Sequence, residues 1–191
     1  ALLEDLTQLH SIEDLKTRSV VIPHGLKAST LPAVSKDTDD DCIKLLFVGR
    51  LENRKGADLL LNVLPDLLQK YEKLVVNLLG DDTQLVGQQT LKQQFLNRHA
   101  KRDFHDRITF HGYVDNAQCE RAYTECDMFV APSRYESFGL IFLEAMRAGK
   151  ACIGSRVGGI QEVLTHNETG LLVEPGDEAA LRAAIEQLIE D

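Results

Sequence analysis

Met128-Phe129-Val130-Ala131-Pro132-Ser133-Arg134-Tyr135-Glu136-Ser137-Phe138-Gly139-Leu140-Ile141-Phe142-Leu143-Glu144-Ala145-Met146 is the stretch on which the fold turns. It reads as an apolar run, Met128 to Ala131, then a loop carrying Glu136, then a helical pattern. The helix is expected from Phe138 to Ala148 and stops at Gly149, a residue suited to a C-terminal cap. A strand that passes through a short turn into a helix starting at glycine builds a pocket for anions. Free N–H groups at the helix start face the loop, and the helix dipole favours negative charge there. Glu136 falls just outside that pocket and Glu144 about two turns into the helix. Such an arrangement suits a ligand with an anionic middle and hydroxyls at both ends.

The same strand–helix unit repeats outward from this stretch. Short apolar runs occur at Leu45-Leu46-Phe47-Val48, Leu74 to Leu79, Ile108-Thr109-Phe110, Cys152-Ile153 and Leu171-Leu172-Val173. Most lack polar alternation, as strands covered on both faces do. Helices are expected at Gly56 to Tyr71, with a kink or break at Pro65, and at Gln84 to Arg102 as a polar surface helix. Another should follow a cap at Asp115 and run through Ala122 and Tyr123. A short one is expected at Gly159 to Thr165 and a last one at Glu178 to Ile189, capped by Asp177. This alternation predicts an α/β fold with a Rossmann-like, doubly wound parallel sheet of about six strands. Val20-Val21-Ile22-Pro23-His24-Gly25 reads as a strand ending in a turn. The acidic segment from Ser35 to Asp41 reads as a solvated linker, since it lacks the glycine and later glutamate of a calcium loop.

Composition narrows the function. With 191 residues, 43% of them hydrophobic, the chain is long enough for a substantial core. Its 21 basic and 30 acidic side chains give a net charge of −9. That balance argues against general nucleic-acid affinity and against a polybasic membrane patch. An acidic protein that binds an anion must gather its few cations locally. The four cysteines form no C-x-x-C pair, which fits reduced thiols in a cytoplasmic protein. No apolar stretch approaches the ~20 residues of a membrane span. The six histidines show no convincing metal-ligand spacing, and His111 is expected in a hydrogen-bonded structural role.

Ligands of open α/β sheets bind at the carboxyl ends of the strands. The first strand ends in Val48-Gly49-Arg50-Leu51-Glu52-Asn53-Arg54-Lys55-Gly56, which has neither the dinucleotide fingerprint nor a phosphate-binding P-loop. It offers instead Arg50 and Lys55, with Gly49 and Gly56 permitting close backbone approach. The two cations either hold a diphosphate or are ordinary solvated loop residues. Leu79-Gly80-Asp81 and His111-Gly112-Tyr113-Val114 either present backbone groups to a base or are plain strand-to-helix turns. Gly158-Gly159 before a helix is a further candidate backbone cradle, with Glu162 beside it in a structural role.

Together these segments resemble the C-terminal, donor-binding domain of retaining glycosyltransferases of family 4, which have the GT-B fold. Val48-Gly49-Arg50-Leu51 with Lys55-Gly56 is similar to that family's V-G-R-L…K-G loop. Glu136 to Glu144, continuing to Gly149, is similar to its E-x7-E segment. Val157-Gly158-Gly159 with Glu162, and Thr169 to Val173 with Pro175-Gly176-Asp177, follow in order and spacing. The resemblance implies that Arg50 and Lys55 hold the donor diphosphate and that Glu136 contacts the transferred sugar. Backbone N–H groups from Ser137, Phe138, Gly139 and Leu140 would lie near the sugar and phosphates. Glu144 would hold the ribose hydroxyls, and Gly49, Gly112, Tyr113 and Val114 would complete the donor site. The donor would be a UDP-, GDP- or ADP-sugar, with no metal or other cofactor needed.

The same resemblance predicts the organisation. Residues 1–42 are expected to be a remnant of an acceptor-binding N-terminal domain plus linker, and residues 43–191 the nucleotide-sugar-binding domain, cut short at its C-terminus. The partner would be that N-terminal domain of the parent chain, with no nucleic acid. Any membrane association, peripheral at the inner face, would run through the missing part. The piece by itself is expected to bind a nucleotide-sugar weakly and to transfer little or nothing. Pro23-His24-Gly25-Leu26-Lys27 departs from the family's usual Pro-Asn-Gly and following Asp, so the interdomain hinge differs in detail, and Ala151 replaces a frequent proline. Two other readings stand beside this one: a non-catalytic sugar-nucleotide-binding module, and a GT-B-like epimerase or phosphorylase, for which His111 and Lys150 are poorly placed.

Overall fold

A computed structural model of the chain describes residues 18–20, 22, 24–26 and 41–191. The elements run β1 (Ile43–Val48), α1 (Ala57–Lys70), β2 (Leu74–Leu79), β3 (Leu85–Val86), β4 (Gln89–Thr90), α2 (Leu91–Arg98), β5 (Ile108–Gly112) and α3 (Asn116–Glu125). Then come β6 (Met128–Ala131), α4 (Leu140–Arg147), β7 (Ala151–Ser155), α5 (Ile160–Val163), β8 (Leu171–Val173) and α6 (Glu178–Glu190). Six strands form one sheet in the order β5-β2-β1-β6-β7-β8, and every neighbouring pair is parallel. Numbered along the chain this is the 3-2-1-4-5-6 order of a doubly wound fold.

The apolar runs are continuous because both faces are covered. Leu45, Phe47, Val76, Leu78, Val130 and Ile153 enter the core under α1, α2 and α6. Leu46, Leu79, Phe129, Ala131 and Cys152 enter the opposite one, with Tyr123, Phe142, Ala145 and Ile160. The helix α1 buries Leu60, Val63, Leu64, Leu67 and Leu68, and each such side chain contributes about 1.5–3 kcal/mol of apolar burial. The second core is threaded by edge-to-face rings, Tyr123 on Phe129 at 5.5 Å and Phe129 on Phe142 at 5.4 Å.

Several elements differ from expectation. The helix α1 runs unbroken through Pro65, because buried leucines on both sides of the proline pin both halves to the sheet. The expected helix from Gln84 is instead the β3–β4 hairpin, turning at Gly87 with φ 71°, followed by the eight residues of α2. A capping box sets that start: Thr90 Oγ1 accepts from the Gln93 N–H, and Gln93 Oε1 accepts from the Thr90 N–H. Asp115 and Asp177 cap α3 and α6 as expected. The expected strand near residue 21 and the acidic segment from Ser35 lie largely outside the described residues; Val20 and Ile22 are exposed and in no strand.

None of the four cysteines is in a disulfide. Burial pushes Cys126 and Cys152 up to about 12 and Cys119 up to about 11, so they pack as small apolar groups. Among the described residues no helix is long and apolar enough to cross a membrane.

Candidate functional site

Between β1 and β6 the strand order reverses direction, and in open α/β sheets the crevice at that switch is where ligands bind. The loops that border it are Gly49–Gly56 and Pro132–Gly139. The first is anchored to its neighbours by backbone bonds along the carboxyl edge. The Gly49 N–H donates to Leu79 O (2.8 Å), Leu51 to Asp81 (2.8 Å), and Gly80 to Gly112 (2.8 Å). A short 3-10 turn, Asn53–Lys55, then delivers Lys55 to the mouth of the crevice.

Across the crevice Lys55 Nζ donates to Glu136 Oε2 at 2.6 Å, with side chains 18% and 11% exposed. Two glycine contacts make this possible. Gly56 has φ 70°, and a Cβ there would lie 1.9 Å from the Pro132 carbonyl oxygen, so the loops touch backbone to backbone. Gly158 has φ 46°, and a Cβ there would lie 2.1 Å from the Glu136 carbonyl oxygen, which also accepts from the Gly159 N–H at 3.1 Å. The Gly158-Gly159 turn, read from sequence as a candidate ligand cradle, holds the Glu136 backbone.

Arg134 adds a second bridge. Its N–H donates to Arg54 O (2.9 Å), and its guanidinium donates to Asn53 O (2.6 Å) and to both Asp58 oxygens (2.6 and 2.7 Å). Asp58 holds the Arg134 guanidinium above its ordinary value. Neither residue stood out in the sequence, although an Asp in the first turn of α1 and an Arg two residues before Glu136 are complementary in charge.

Arg50 lies in the same loop, with its side chain 59% exposed and Nη2 3.3 Å from Glu52 Oε1. Arg54 shares that carboxylate at 3.0 Å. The helix α4 starts at Leu140 behind a left-handed Gly139 (φ 91°), and no side chain caps it. Its first turn therefore offers backbone donors and the positive end of its dipole at this edge. Ser137 and Leu140 are exposed, Gly139 is buried and Phe138 is half-buried, its ring 5.2 Å from His24. Glu144 is the fifth residue of α4, one turn in rather than two, and half-buried on the side of α3. It neighbours Tyr123, whose hydroxyl is buried. Burial first, and then the Glu144 carboxylate, drive that phenol far above its ordinary value.

Gly112 (φ 69°) ends β5, and the exposed Tyr113 and half-buried Val114 follow along the same edge. His111 Nε2 lies 2.8 Å from Asn77 Oδ1, a bridge between β5 and β2. A cleft of about 380 Å³ lies on the sheet face beside α3, lined by Leu46, Asn77, Leu79, His111, Val114 and Arg121 among others. It sits away from the Lys55–Glu136 pair, whose place at the switch point carries more chemical meaning than volume. Among the described residues no group of three or more His, Cys, Asp or Glu is placed to hold a metal ion.

Fold and edge together define a doubly wound domain with an ion-paired, anion-ready crevice. The family model "Glycosyl transferases group 1" matches residues 33–191, and the chain belongs to that family. It is 32% identical over 172 residues to a glycogen synthase of Mycobacterium tuberculosis, covering 90% of this chain and 40% of that one. The C-terminal domain of a group 1 glycosyl transferase, LpcC, from Francisella tularensis superposes with a TM-score of 0.69 at 25% identity, over 78% of this chain and 76% of that one. Anabaena HepE in complex with UDP-glucose gives a TM-score of 0.67 at 27% identity, over 79% of this chain and 40% of that one. The sheet and its helices match the C-terminal domains of GT-B glycosyltransferases. The chain spans about 40% of the length of the glycogen synthase it matches.

Proposed function

We propose that this chain is the donor-binding domain of a family 4 glycosyltransferase, which moves a hexose from a nucleoside-diphosphate sugar to an acceptor hydroxyl with retained configuration. The observation that carries this reading is the Lys55–Glu136 pair at the switch point of the sheet. Lys55 takes the donor diphosphate, joined by Arg50 once its guanidinium leaves Glu52 and by the uncapped start of α4. An arriving diphosphate competes with Glu136 for Lys55, and the released carboxylate then accepts hydrogen bonds from the sugar hydroxyls. The first N–H groups of the 137–140 segment serve the same phosphates. Glu144 holds the ribose, and the edge formed by Gly49, Gly112, Tyr113 and Val114 receives the base.

Charge building on the leaving diphosphate is met by fixed cations and a helix dipole, a role that a bound metal fills in other enzymes. An N-terminal domain of the parent chain would bind the acceptor and supply any further catalytic group, and the lack of any disulfide among this chain's cysteines is in keeping with a cytoplasmic setting.

Calorimetric titration with UDP, GDP and ADP tests the reading. One of the three is expected to bind with a dissociation constant below about 1 mM. Replacing Lys55 by Ala should weaken that binding at least about tenfold, the scale of one charge-assisted bond, and chelator should leave it unchanged. Failure of all three nucleotides at millimolar concentration would sink the proposal.

A further inference from the structure

The strands that flank the crevice are poorly tied to each other. β1 pairs with β2 over six positions, Ile43↔Leu74 to Val48↔Leu79, but with β6 at only Leu45↔Met128 and Leu46↔Phe129. Beyond those two positions the ladder between β1 and β6 stops, two residues before each strand ends and the site loops begin. The sheet therefore leaves the width of the crevice unset. Beside the Lys55–Glu136 pair and the Gly56–Pro132 contact, the gap is spanned by Arg134, with its N–H on Arg54 O, one guanidinium nitrogen on Asn53 O, and a two-pronged contact to Asp58.

Arg134 is two residues before Glu136, and Asp58 is three after Lys55. We infer that the Arg134–Asp58 clasp is a positioning pair that sets the distance between Lys55 and Glu136, and so the affinity of the crevice for a nucleoside diphosphate. This inference rests on the donor-binding reading above. The planar fork of arginine is what the geometry uses: it fixes distance and angle together, which the point charge of lysine does not. The side chains are 37% and 22% exposed, so water screens the pair only in part. With the clasp gone, Lys55 and Glu136 sit on loops joined by their own ion pair and by the Gly56–Pro132 contact. A diphosphate that draws Lys55 away then meets a loop free to drift.

The test uses the whole chain and the variants R134L, R134K and D58N. R182L serves as the control; it breaks the Arg182–Asp66 pair (2.7 Å) between α6 and α1, away from the crevice. Affinities for UDP, GDP and ADP are measured well below every melting temperature, beside the melting temperatures themselves. R134L and D58N are expected to weaken the nucleotide that binds about tenfold, and to a similar degree, because each removes the same clasp. R134K keeps the charge without the fork and should fall between, at about threefold. R182L should lower the melting temperature and leave affinity unchanged. If D58N and R134K melt lower yet bind as the unsubstituted chain does, the clasp is structural only and the inference is overturned, whether or not R134L folds. If the unsubstituted chain binds none of the three nucleotides, the donor reading itself falls and takes the clasp with it.

Discussion

At the scale of single residues, the site depends on backbone contacts that side chains would spoil. Gly56 combines a left-handed φ of 70° with a neighbouring carbonyl oxygen 1.9 Å from where a Cβ would sit. The contact is backbone on backbone, so no rotamer change relieves it. G56A should cost on the order of 3 kcal/mol, strain and overpacking together, read as a lower urea midpoint. A variant as stable as the parent would show that the two loops are free to separate. The charges follow a related logic. Arg50, Arg54, Lys55 and Arg134 face Glu52, Asp58 and Glu136, so the crevice concentrates cations in an acidic chain while keeping each one paired.

At the scale of elements, the corner made by α2 and the turn before β5 carries a pH dependence. His99 closes α2 and packs at 5.0 Å against the Phe95 ring. Burial first, and then the nearby Arg98, Arg102 and His105, hold its pKa below the ordinary 6.5. Between the lowered folded value and 6.5 the unfolded chain binds more protons than the folded one. Stability from this group is therefore complete above about pH 6.5 and is lost as pH falls through the folded value. Urea midpoints should drop between pH 8 and pH 5, and H99Q should drop less over the same range. Equal drops in both would place the pH dependence elsewhere. The helix α1 teaches a different lesson: Pro65 removes one backbone donor, yet buried leucines and Val63 on both sides of it keep the helix whole.

At the scale of the molecule, ligand and fold are linked. A ligand that binds only the folded state at ten times its dissociation constant adds about 1.4 kcal/mol. For a chain of this size that is a rise in melting temperature of roughly 3–6 °C. The effective nucleotide should produce that shift in the parent chain, and the same concentration should move K55A, if it binds about tenfold more weakly, by no more than about 1–2 °C. A shift of equal size in K55A would locate binding away from the crevice, with the cleft beside α3 as the place to look.

Much of the fold was legible from the chain. The apolar runs at Leu45–Val48, Leu74–Leu79 and Met128–Ala131 are strands, and Asp115 and Asp177 start helices, because periodicity and capping act within a few residues. The polar stretch after Gln84 misled, since its low hydrophobicity hid a turn at Gly87 and a capping box at Thr90 that restart the chain. The V-G-R-L…K-G and E-x7-E segments marked both loops of the candidate site. That Lys55 meets Glu136, 81 residues away, and that Arg134 grips Asp58, 76 away, follow from strand order. Local sequence determined which segments are strands and helices and which loops carry charge. Only the tertiary structure decided that β1 and β6 lie side by side, paired at two positions, because strand order is set by burying both faces of the sheet at once. That is a property of the whole packed chain and of no single stretch within it.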